Sequence, residues 1–385
     1  MLGPRFAPCL ALLVALGANA CREQKAGGGA PSASGSSSSA TEVAAPTISR
    51  AVSTDASFDL TPLPDGAALA MGEKGGGLVV LLRDRRGVQR SAPVVLPEVS
   101  RERIGEVSIA SLGSRLALSW VSHLPGAEAA AFAALGDAAT RSFAPPLSLG
   151  AVTLAPGAES GIVEVAGGAQ GEFVVLRRGA DEPCAADPAQ QCAAFGFREL
   201  GSAGVESRGL PMSVPAPCAR GIAGFVSVED RWHYGFCSQA EGRPLTTHFM
   251  RQLQPFYVEV HRSFEGCAPL GATTVGKDAW FFADCPKGRR AERVGAMRQA
   301  ASELDLSQVD VVCEGGRPVF RDPARRFELR LEGPRDGLGA LLPRRLGKGN
   351  ARAVWTGSHL LTATVAGGSV SVRSYTCRGS LLLGP

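Results

Sequence analysis

The chain of 385 residues is poor in aromatic side chains, which make up 6% of it, and carries little excess charge of either sign. Forty Lys and Arg face 36 Asp and Glu, so the formal net charge of +4 gives no dominant field to attract DNA or RNA. Beyond the N-terminus no apolar run is long enough to cross a bilayer, which excludes a polytopic membrane protein. The apolar share of 45% is ample for a packed core and excludes wholesale disorder.

The motifs of familiar chemistry are also missing. The five histidines form no H-E-x-x-H pattern and no C-x2-C occurs, so we expect no metal site and no cofactor. No G-x-S-x-G, P-loop or dinucleotide-binding glycine pattern stands between a strand and a helix, and calcium-binding loops are missing. No motif therefore assigns a catalytic residue.

Residues 1–20 have the form of an export signal, in which Arg5 precedes an apolar stretch at residues 10–16 and small residues follow. Small residues directly before Cys21 resemble the lipobox of bacterial lipoproteins, although Ala18 and Asn19 replace the usual Leu and small residue. The resemblance implies that Cys21 carries a diacylglycerol and an N-acyl chain, which would anchor the protein stably in a membrane. Ordinary secretory cleavage after Ala20, giving a soluble periplasmic protein, is the alternative.

The number of cysteines favours the lipoprotein interpretation. Of ten cysteines, Cys9 leaves with the signal; if Cys21 is lipidated, the other eight can all pair, as suits an oxidising compartment. Residues 21–52 are rich in Gly, Ser and Ala and are predicted to form a flexible tether to a domain spanning residues 53–385. We expect an exported, lipid-anchored protein of the bacterial envelope. By resemblance to enterobacterial lipoproteins, Arg22 in place of Asp favours the outer membrane, on its periplasmic or surface side.

A hairpin recurs through the body of the chain, with a small or apolar strand, a turn containing Gly or Asp, and a strand rich in β-branched or aromatic residues. The copies lie at residues 69–82, 107–120, 162–176, 224–237, 273–283, 311–320 and 353–363. Their turns are about 47 residues apart on average, the size of a four-stranded antiparallel blade. Six or seven such blades around an axis form a β-propeller, the all-β fold that we predict. A β-sandwich or two β domains are the alternatives.

Spacing also predicts how the eight cysteines pair. Two pairs bracket copies of the hairpin, so the facing strand ends would bring their Cα atoms within disulfide distance. A third pair flanks a short turn-like segment, which leaves the last two cysteines to form a long-range link. A loop the size of the hairpin closed in this way is worth on the order of 3 kcal/mol. The predicted pairs are Cys184 with Cys192, Cys218 with Cys237, Cys267 with Cys285, and Cys313 with Cys377.

These observations favour a non-enzymatic lipoprotein whose propeller face binds an envelope protein or a glycan. The alternative is a glycan hydrolase or lyase with carboxylates from several blades converging on the central funnel, since glycosidases need only two carboxylates at the right separation. Glu229, Asp230, Glu265 and Asp278 are the candidate carboxylates for that alternative. Paired buried acids in the funnel would favour catalysis, whereas an apolar or Arg-lined mouth would favour binding.

Overall fold

The computed structural model describes residues 50–96, 99, 103–123, 129–152, 162–201, 204–207, 212–215, 217–228, 231–254, 257–275, 278–295, 304–305, 309–321, 328–331 and 351–384. Thirty β-strands and no α-helix occur in these ranges. Accordingly, this part of the chain contains no helix with the length and apolar character needed to span a membrane.

The strands form seven antiparallel sheets, blades 1–7, that follow one another along the chain. Blade 1 consists of β2 (Phe58–Leu63), β3 (Gly66–Gly72), β4 (Leu78–Asp84) and β5 (Val94–Leu96), and blade 2 consists of β6 (Arg103–Leu112), β7 (Arg115–His123), β8 (Ala129–Asp137), β9 (Ser142–Phe143) and β10 (Leu147–Ala151). Blade 3 consists of β11 (Val163–Gly167), β12 (Phe173–Pro183), β13 (Gln191–Gly201), β14 (Gly204–Ser207) and β15 (Met212–Pro215). Blade 4 consists of β16 (Pro217–Val228), β17 (Arg231–Ser238), β18 (Thr246–Gln254) and β19 (Tyr257–Glu265).

Blades 5–7 complete the set, and the last of them includes the first strand of the chain. Blade 5 consists of β20 (Ala268–Val275), β21 (Asp278–Cys285), β22 (Gly288–Gly295) and β23 (Leu304–Asp305). Blade 6 consists of β24 (Asp310–Glu314), β25 (Arg317–Arg321) and β26 (Glu328–Arg330). Blade 7 consists of β27 (Ala351–Trp355), β28 (Leu360–Ala366), β29 (Ser369–Arg378), β30 (Leu381–Leu383) and β1 (Arg50–Ala51).

The middle strands of a blade are apolar along almost their whole length. In β3, with the sequence GAALAMG, every residue is buried, and in β4, with the sequence LVVLLRD, only the final Asp84 is not. A strand in a single exposed sheet alternates apolar and polar residues, but these strands are covered on both faces by neighbouring sheets. The three alanines of β3 keep its side chains short, so that neighbouring sheets can pack closely against it.

Six hydrophobic clusters fill the spaces between successive blades and close the ring. One cluster joins blades 5, 6 and 7, and each of the others joins two neighbouring blades, the last of them blades 7 and 1. Each cluster contains a buried aromatic residue: Trp120 between blades 1 and 2, Phe173 between 2 and 3, Phe197 between 3 and 4, Phe281 between 4 and 5, Trp355 between 5, 6 and 7, and Phe58 between 7 and 1. The predicted β-propeller is confirmed, with seven blades.

The ring is closed by residues from the start of the described chain. On one side these residues contact blade 7. Arg50 of β1 pairs with Val370 of β29, and the Val52 N–H donates to the carbonyl oxygen of Gly368 at 2.9 Å. On the other side the Ser53 N–H donates to the carbonyl oxygen of Gly72, on blade 1, at 3.0 Å. We call residues 50–53 the closing segment. The predicted tether extends to residue 52, so its last residues belong to the folded ring.

Six of the seven predicted hairpins are formed by the two innermost strands of a blade. The exception is the hairpin at residues 69–82, which is β3 with β4, the second and third strands of blade 1. The inner hairpin of that blade is β2 with β3, joined by a turn at Pro64 and Asp65. The predicted hairpin at residues 69–82 is therefore formed, but it lies one strand further out than the other six, because the glycines at residues 75–77 give a stronger turn signal than Pro64 and Asp65.

The eight described cysteines form four disulfides, the pairs expected from their spacing. The Cα–Cα distances are 5.0 Å for Cys184–Cys192, 5.5 Å for Cys218–Cys237, 4.2 Å for Cys267–Cys285 and 5.5 Å for Cys313–Cys377. Three of them lie within blades 3, 4 and 5, and the fourth joins β24 of blade 6 to β29 of blade 7. Four disulfides indicate an oxidising, extracytoplasmic environment.

Candidate functional site

The innermost strands of six blades surround a cavity of about 110 Å³. These strands are β2, β6, β11, β16, β20 and β27. Blades 4 and 5 contribute glycine and apolar residues, whereas the charged side chains come from the consecutive blades 7, 1, 2 and 3. The cavity is smaller than the roughly 300–1,000 Å³ of pockets that enclose whole drug-sized ligands. It has room for one functional group of a larger ligand.

Asp59 on β2 joins three blades. Its Oδ1 atom accepts a hydrogen bond from Nε of Arg352, on β27 of blade 7, at 3.1 Å. Its Oδ2 atom accepts one from the backbone N–H of Ile109, on β6 of blade 2, at 2.9 Å, and the Leu60 N–H also donates to Oδ1. Burial raises the pKa of Asp59, and Arg352 and the two backbone N–H groups partly offset that effect. The carboxylate therefore links blades 7, 1 and 2 at the cavity wall.

Glu106 and Ser108 on β6 form the corresponding link from blade 2 to blade 3. The Oε2 atom of Glu106 accepts hydrogen bonds from the backbone N–H groups of Ile162 at 2.8 Å and Val163 at 3.2 Å. The Oγ atom of Ser108 accepts one from the N–H of Val165 at 3.1 Å. Val163 and Val165 lie on β11, the innermost strand of blade 3, and Ile162 directly precedes that strand.

These contacts follow one rule: a polar side chain of one innermost strand satisfies backbone groups of the next. An innermost strand pairs with a neighbour on one side only, so its other edge presents N–H groups that need acceptors. The side chains of Asp59, Glu106 and Ser108 supply those acceptors. The polar residues of the cavity thus hold adjacent blades together as well as lining the site.

Among the described residues that line it, the cavity contains three carboxylates, from Asp59, Glu106 and Glu164, and one guanidinium, from Arg352. Asp59 and Glu106 accept hydrogen bonds from backbone groups of the next blade, and Glu164 lies half-buried on β11 in the cavity wall. An excess of carboxylate oxygens suits a ligand that donates hydrogen bonds, such as a hydroxyl, an amine or a backbone N–H group.

Two of the candidate carboxylates chosen from the sequence, Glu265 and Asp278, do not line this cavity. Asp278, at the start of β21, forms an ion pair with Arg293, whose Nε atom lies 2.7 Å from Oδ2. Glu265 is exposed at the end of β19, the outermost strand of blade 4. Glu229 and Asp230 lie outside the described residues. Asp278 and Glu265 do not line the cavity because the first directly follows a hairpin turn and the second lies on an outer strand.

The residues that do line the cavity have a weak signal in the sequence. Asp59 and Glu164 each interrupt an apolar strand, in Phe-Asp-Leu and Val-Glu-Val, and a charge in the first strand of a blade points to the axis. That signal becomes usable only after the first strand of each blade has been identified. For blade 1 the predicted hairpin began one strand too late, so Asp59 fell outside it.

Other predicted features lie elsewhere or outside the described residues. Cys21, the predicted lipidation site, is outside them. His233 is 1% exposed in β17, a packed position. Among the residues that the structure describes, no group of three or more His, Cys, Asp or Glu side chains is placed to hold a metal ion.

No family model matches the chain, and no curated protein sequence matches it. A protein of unknown function from Dyadobacter fermentans is 10% identical, with a TM-score of 0.41 over 87% of this chain and 96% of that one. AofleA from Arthrobotrys oligospora is 9% identical, with a TM-score of 0.42 over 87% and 88% of the two chains. Trypanosoma rangeli sialidase is 9% identical, with a TM-score of 0.37, and 56% of its length is covered by 79% of this chain. The propeller assignment rests on the strand pairing and blade packing described above.

Proposed function

We propose that this protein is an exported bacterial lipoprotein, anchored through a lipid on Cys21, whose β-propeller binds an envelope protein or a glycan. The export signal and the small residues before Cys21 support the anchor, and the even number of paired cysteines that remains without Cys21 supports its modification. The outer membrane is the proposed location, with the propeller on its periplasmic or surface side.

The observation that supports a binding role is that two of the cavity carboxylates are hydrogen-bonded to the backbone of the next blade. Asp59 and Glu106 accept hydrogen bonds from the backbone of the next blade, so both side chains serve to hold adjacent blades together. A general acid or base must exchange its proton in each turnover. Because these two carboxylates hold blades together, they favour a binding role for the cavity over acid–base catalysis.

The size of the cavity indicates how a ligand would use it. About 110 Å³ holds one functional group, so the rest of a ligand would lie across the face of the propeller. A protein loop or a sugar polymer satisfies this requirement, because each can insert one side chain or hydroxyl and spread its remaining contacts. Glu164, which lies half-buried in the cavity wall, is the proposed acceptor for the inserted group.

A glycan hydrolase or lyase is the second candidate, and one feature of the cavity favours it. Burial raises the pKa of Asp59, and a carboxyl group with a raised pKa can act as a general acid. Glu106 and Glu164 line the same cavity and would supply the second carboxylate that glycoside hydrolysis requires.

The test is a cross-linked pull-down of the tagged full-length protein from its own membranes, with intact-mass analysis of the bait. A Cys21→Ser variant is the control for the anchor. The proposal of an anchored binding module would be supported if the wild-type bait is lipidated and reproducibly captures the same protein, and if the Cys21→Ser variant loses both the lipid and the captured protein. An unlipidated wild-type bait would overturn the lipoprotein proposal.

A second pair of variants tests the cavity. Glu164→Gln removes the charge of the proposed acceptor, and Glu206→Gln makes the same change at an exposed position on β14. Capture of the partner, or retention on immobilised envelope glycan, should weaken with the first and not the second. Glycan cleavage by the wild type that is lost in Asp59→Asn would instead establish the enzyme.

A further inference from the structure

A serine, a histidine and a second serine form a continuous hydrogen-bonded array across three strands of blade 4. The Oγ atom of Ser238, the last residue of β17, lies 2.8 Å from Nε2 of His248 on β18. The Nδ1 atom of the same imidazole lies 2.7 Å from Oγ of Ser263 on β19. A hydroxyl bonded to one ring nitrogen, with a third group bonded to the other, is the arrangement that activates serine nucleophiles.

The strands hold this array in place from both ends. Cys237, next to Ser238, is bonded to Cys218, which fixes the end of β17. The imidazole of His248 stacks on the ring of Phe236, with the centroids 4.9 Å apart and the planes 30° apart. In the register of β18 with β19, His248 lies opposite Ser263, so the second hydrogen bond follows directly from the strand pairing.

The array has the protonation state that a general base requires. Burial lowers the pKa of His248 from 6.5, so its imidazole is neutral at pH 7. If Nδ1–H donates to Ser263, Nε2 is left as the acceptor for the hydroxyl proton of Ser238. The titratable positions two residues from Ser263 on β19 are His261, before it, and Glu265, beyond it and exposed.

We propose that Ser238 is an activated nucleophile, with His248 as its general base and Ser263 as the positioning residue, and that it reacts with small carboxylic esters. Ser263 is exposed, while Ser238 and His248 are half-buried, so the array opens to solvent and a small acyl compound can reach it. The array lies on β17, β18 and β19, away from the innermost strands, so this activity is independent of the cavity.

The reaction proceeds in two balanced steps. Oγ of Ser238 bonds to the ester carbonyl carbon while its proton passes to Nε2 of His248; the bond to the alcohol oxygen then breaks, and the alcohol leaves with that proton. Water next gives a proton to Nε2 as its oxygen adds to the acylated serine. The carboxylic acid departs, and the proton on Nε2 returns to Oγ of Ser238.

A second pair of residues in the same protein provides a matched control. The Oγ atom of Ser358 lies 2.9 Å from Nδ1 of its sequence neighbour His359, whose pKa is also lowered by burial. This pair has the serine and the neutral imidazole but no described group on the far nitrogen of the ring. Ser358 should therefore react no faster than an ordinary serine.

The test is labelling of the disulfide-bonded protein with an alkyl fluorophosphonate, followed by peptide mass spectrometry to locate the modified residue. We expect the label on Ser238, with Ser238→Ala abolishing it and Ser358→Ala leaving it unchanged. His248→Gln should slow labelling by about 100-fold, the usual scale of general-base catalysis. Hydrolysis of p-nitrophenyl acetate should follow the same order among the variants.

The role of Ser263 has its own readout. In the wild type, labelling should rise to half of its maximum below pH 6.5, where His248 loses its proton. Ser263→Ala should shift that midpoint, whereas a purely structural contact would change only the unfolding midpoint. No label on Ser238, or equal labelling of Ser238 and Ser358, would overturn the proposal. If His248→Gln fails to fold, the Ser263→Ala profile and the Ser238 to Ser358 comparison still decide it.

Discussion

Replacing Asp59 tests whether the ring depends on side chains that bridge its innermost strands. In Asp59→Ala the backbone N–H of Ile109 loses its acceptor at a buried position, and Arg352 loses its ion-pair partner. An unsatisfied buried donor costs about 1–3 kcal/mol. The side chains of Arg352 and Asp59 are 27% and 18% exposed, so their ion pair adds no more than about 1 kcal/mol. We expect a loss of about 1–4 kcal/mol in the free energy of unfolding.

Equilibrium unfolding in guanidinium chloride, with the disulfides intact, measures this loss. Asp59→Asn keeps one acceptor oxygen and should cost about half as much as Asp59→Ala. Combining Asp59→Ala with Arg352→Met in a double-mutant cycle isolates the ion pair, whose coupling energy should be about 1 kcal/mol or less. A loss below about 0.5 kcal/mol in Asp59→Ala would refute the bridging role.

The pH dependence of the same variants provides a second check. Because burial raises the pKa of Asp59 above 3.8, folding favours its protonated form. That contribution to stability is complete below pH 3.8 and declines as the pH rises through the raised pKa. Asp59→Asn lacks it, so the stability advantage of the wild type over Asp59→Asn should shrink as the pH rises. An advantage that grows with pH would contradict this argument.

Two further predictions concern the packing and the covalent links. Gly224 and Gly204 have similar φ angles, +140° and +138°, but an added Cβ at Gly224 would lie 2.7 Å from Cβ of Ala272, whereas at Gly204 it meets nothing within 4 Å. In urea unfolding, Gly224→Ala should therefore cost about 1–3 kcal/mol more than Gly204→Ala, and equal losses would show that the contact between blades 4 and 5 yields freely. Replacing both Cys313 and Cys377 by Ser opens a link across 64 residues and should cost about 4 kcal/mol, against about 2.5 kcal/mol for the 8-residue link between Cys184 and Cys192, because longer loops restrict the unfolded chain more. Equal thermal midpoints for the two double variants would contradict that order.

The parts of the fold that depend on local chemistry could be predicted from the sequence. Turn residues and apolar strands locate six of the inner hairpins, and the disulfide pairs follow from cysteines at matching hairpin ends. The closing segment could not be found in this way. A strand as short as Arg50–Ala51 has no local signal, since it exists only through pairing with residues more than 300 positions away.

The cavity was harder to predict because its residues come together only when the ring closes. Asp59 and Arg352 are 293 positions apart, and no spacing rule relates them. The array of Ser238, His248 and Ser263 depends on the register of three strands, and the sequence contains no motif that marks it. In both cases the residue types are visible in the sequence, whereas their proximity comes from tertiary structure.

The closing segment has a mechanical consequence. Residues 50–53 hold the edge of blade 7 on one side and blade 1 on the other, and the chain arrives at them from its N-terminal end. If that end is fixed to a membrane, any pulling force on the propeller reaches the seam before it reaches any other blade contact. The resistance of this seam to load therefore comes from a few backbone hydrogen bonds, from the ion pair of Arg50 with Glu73, in which Nη1 and Oε1 are 2.7 Å apart, and from the buried cluster between blades 7 and 1. Under such a load, the contact between blades 7 and 1 should separate before the other blade contacts.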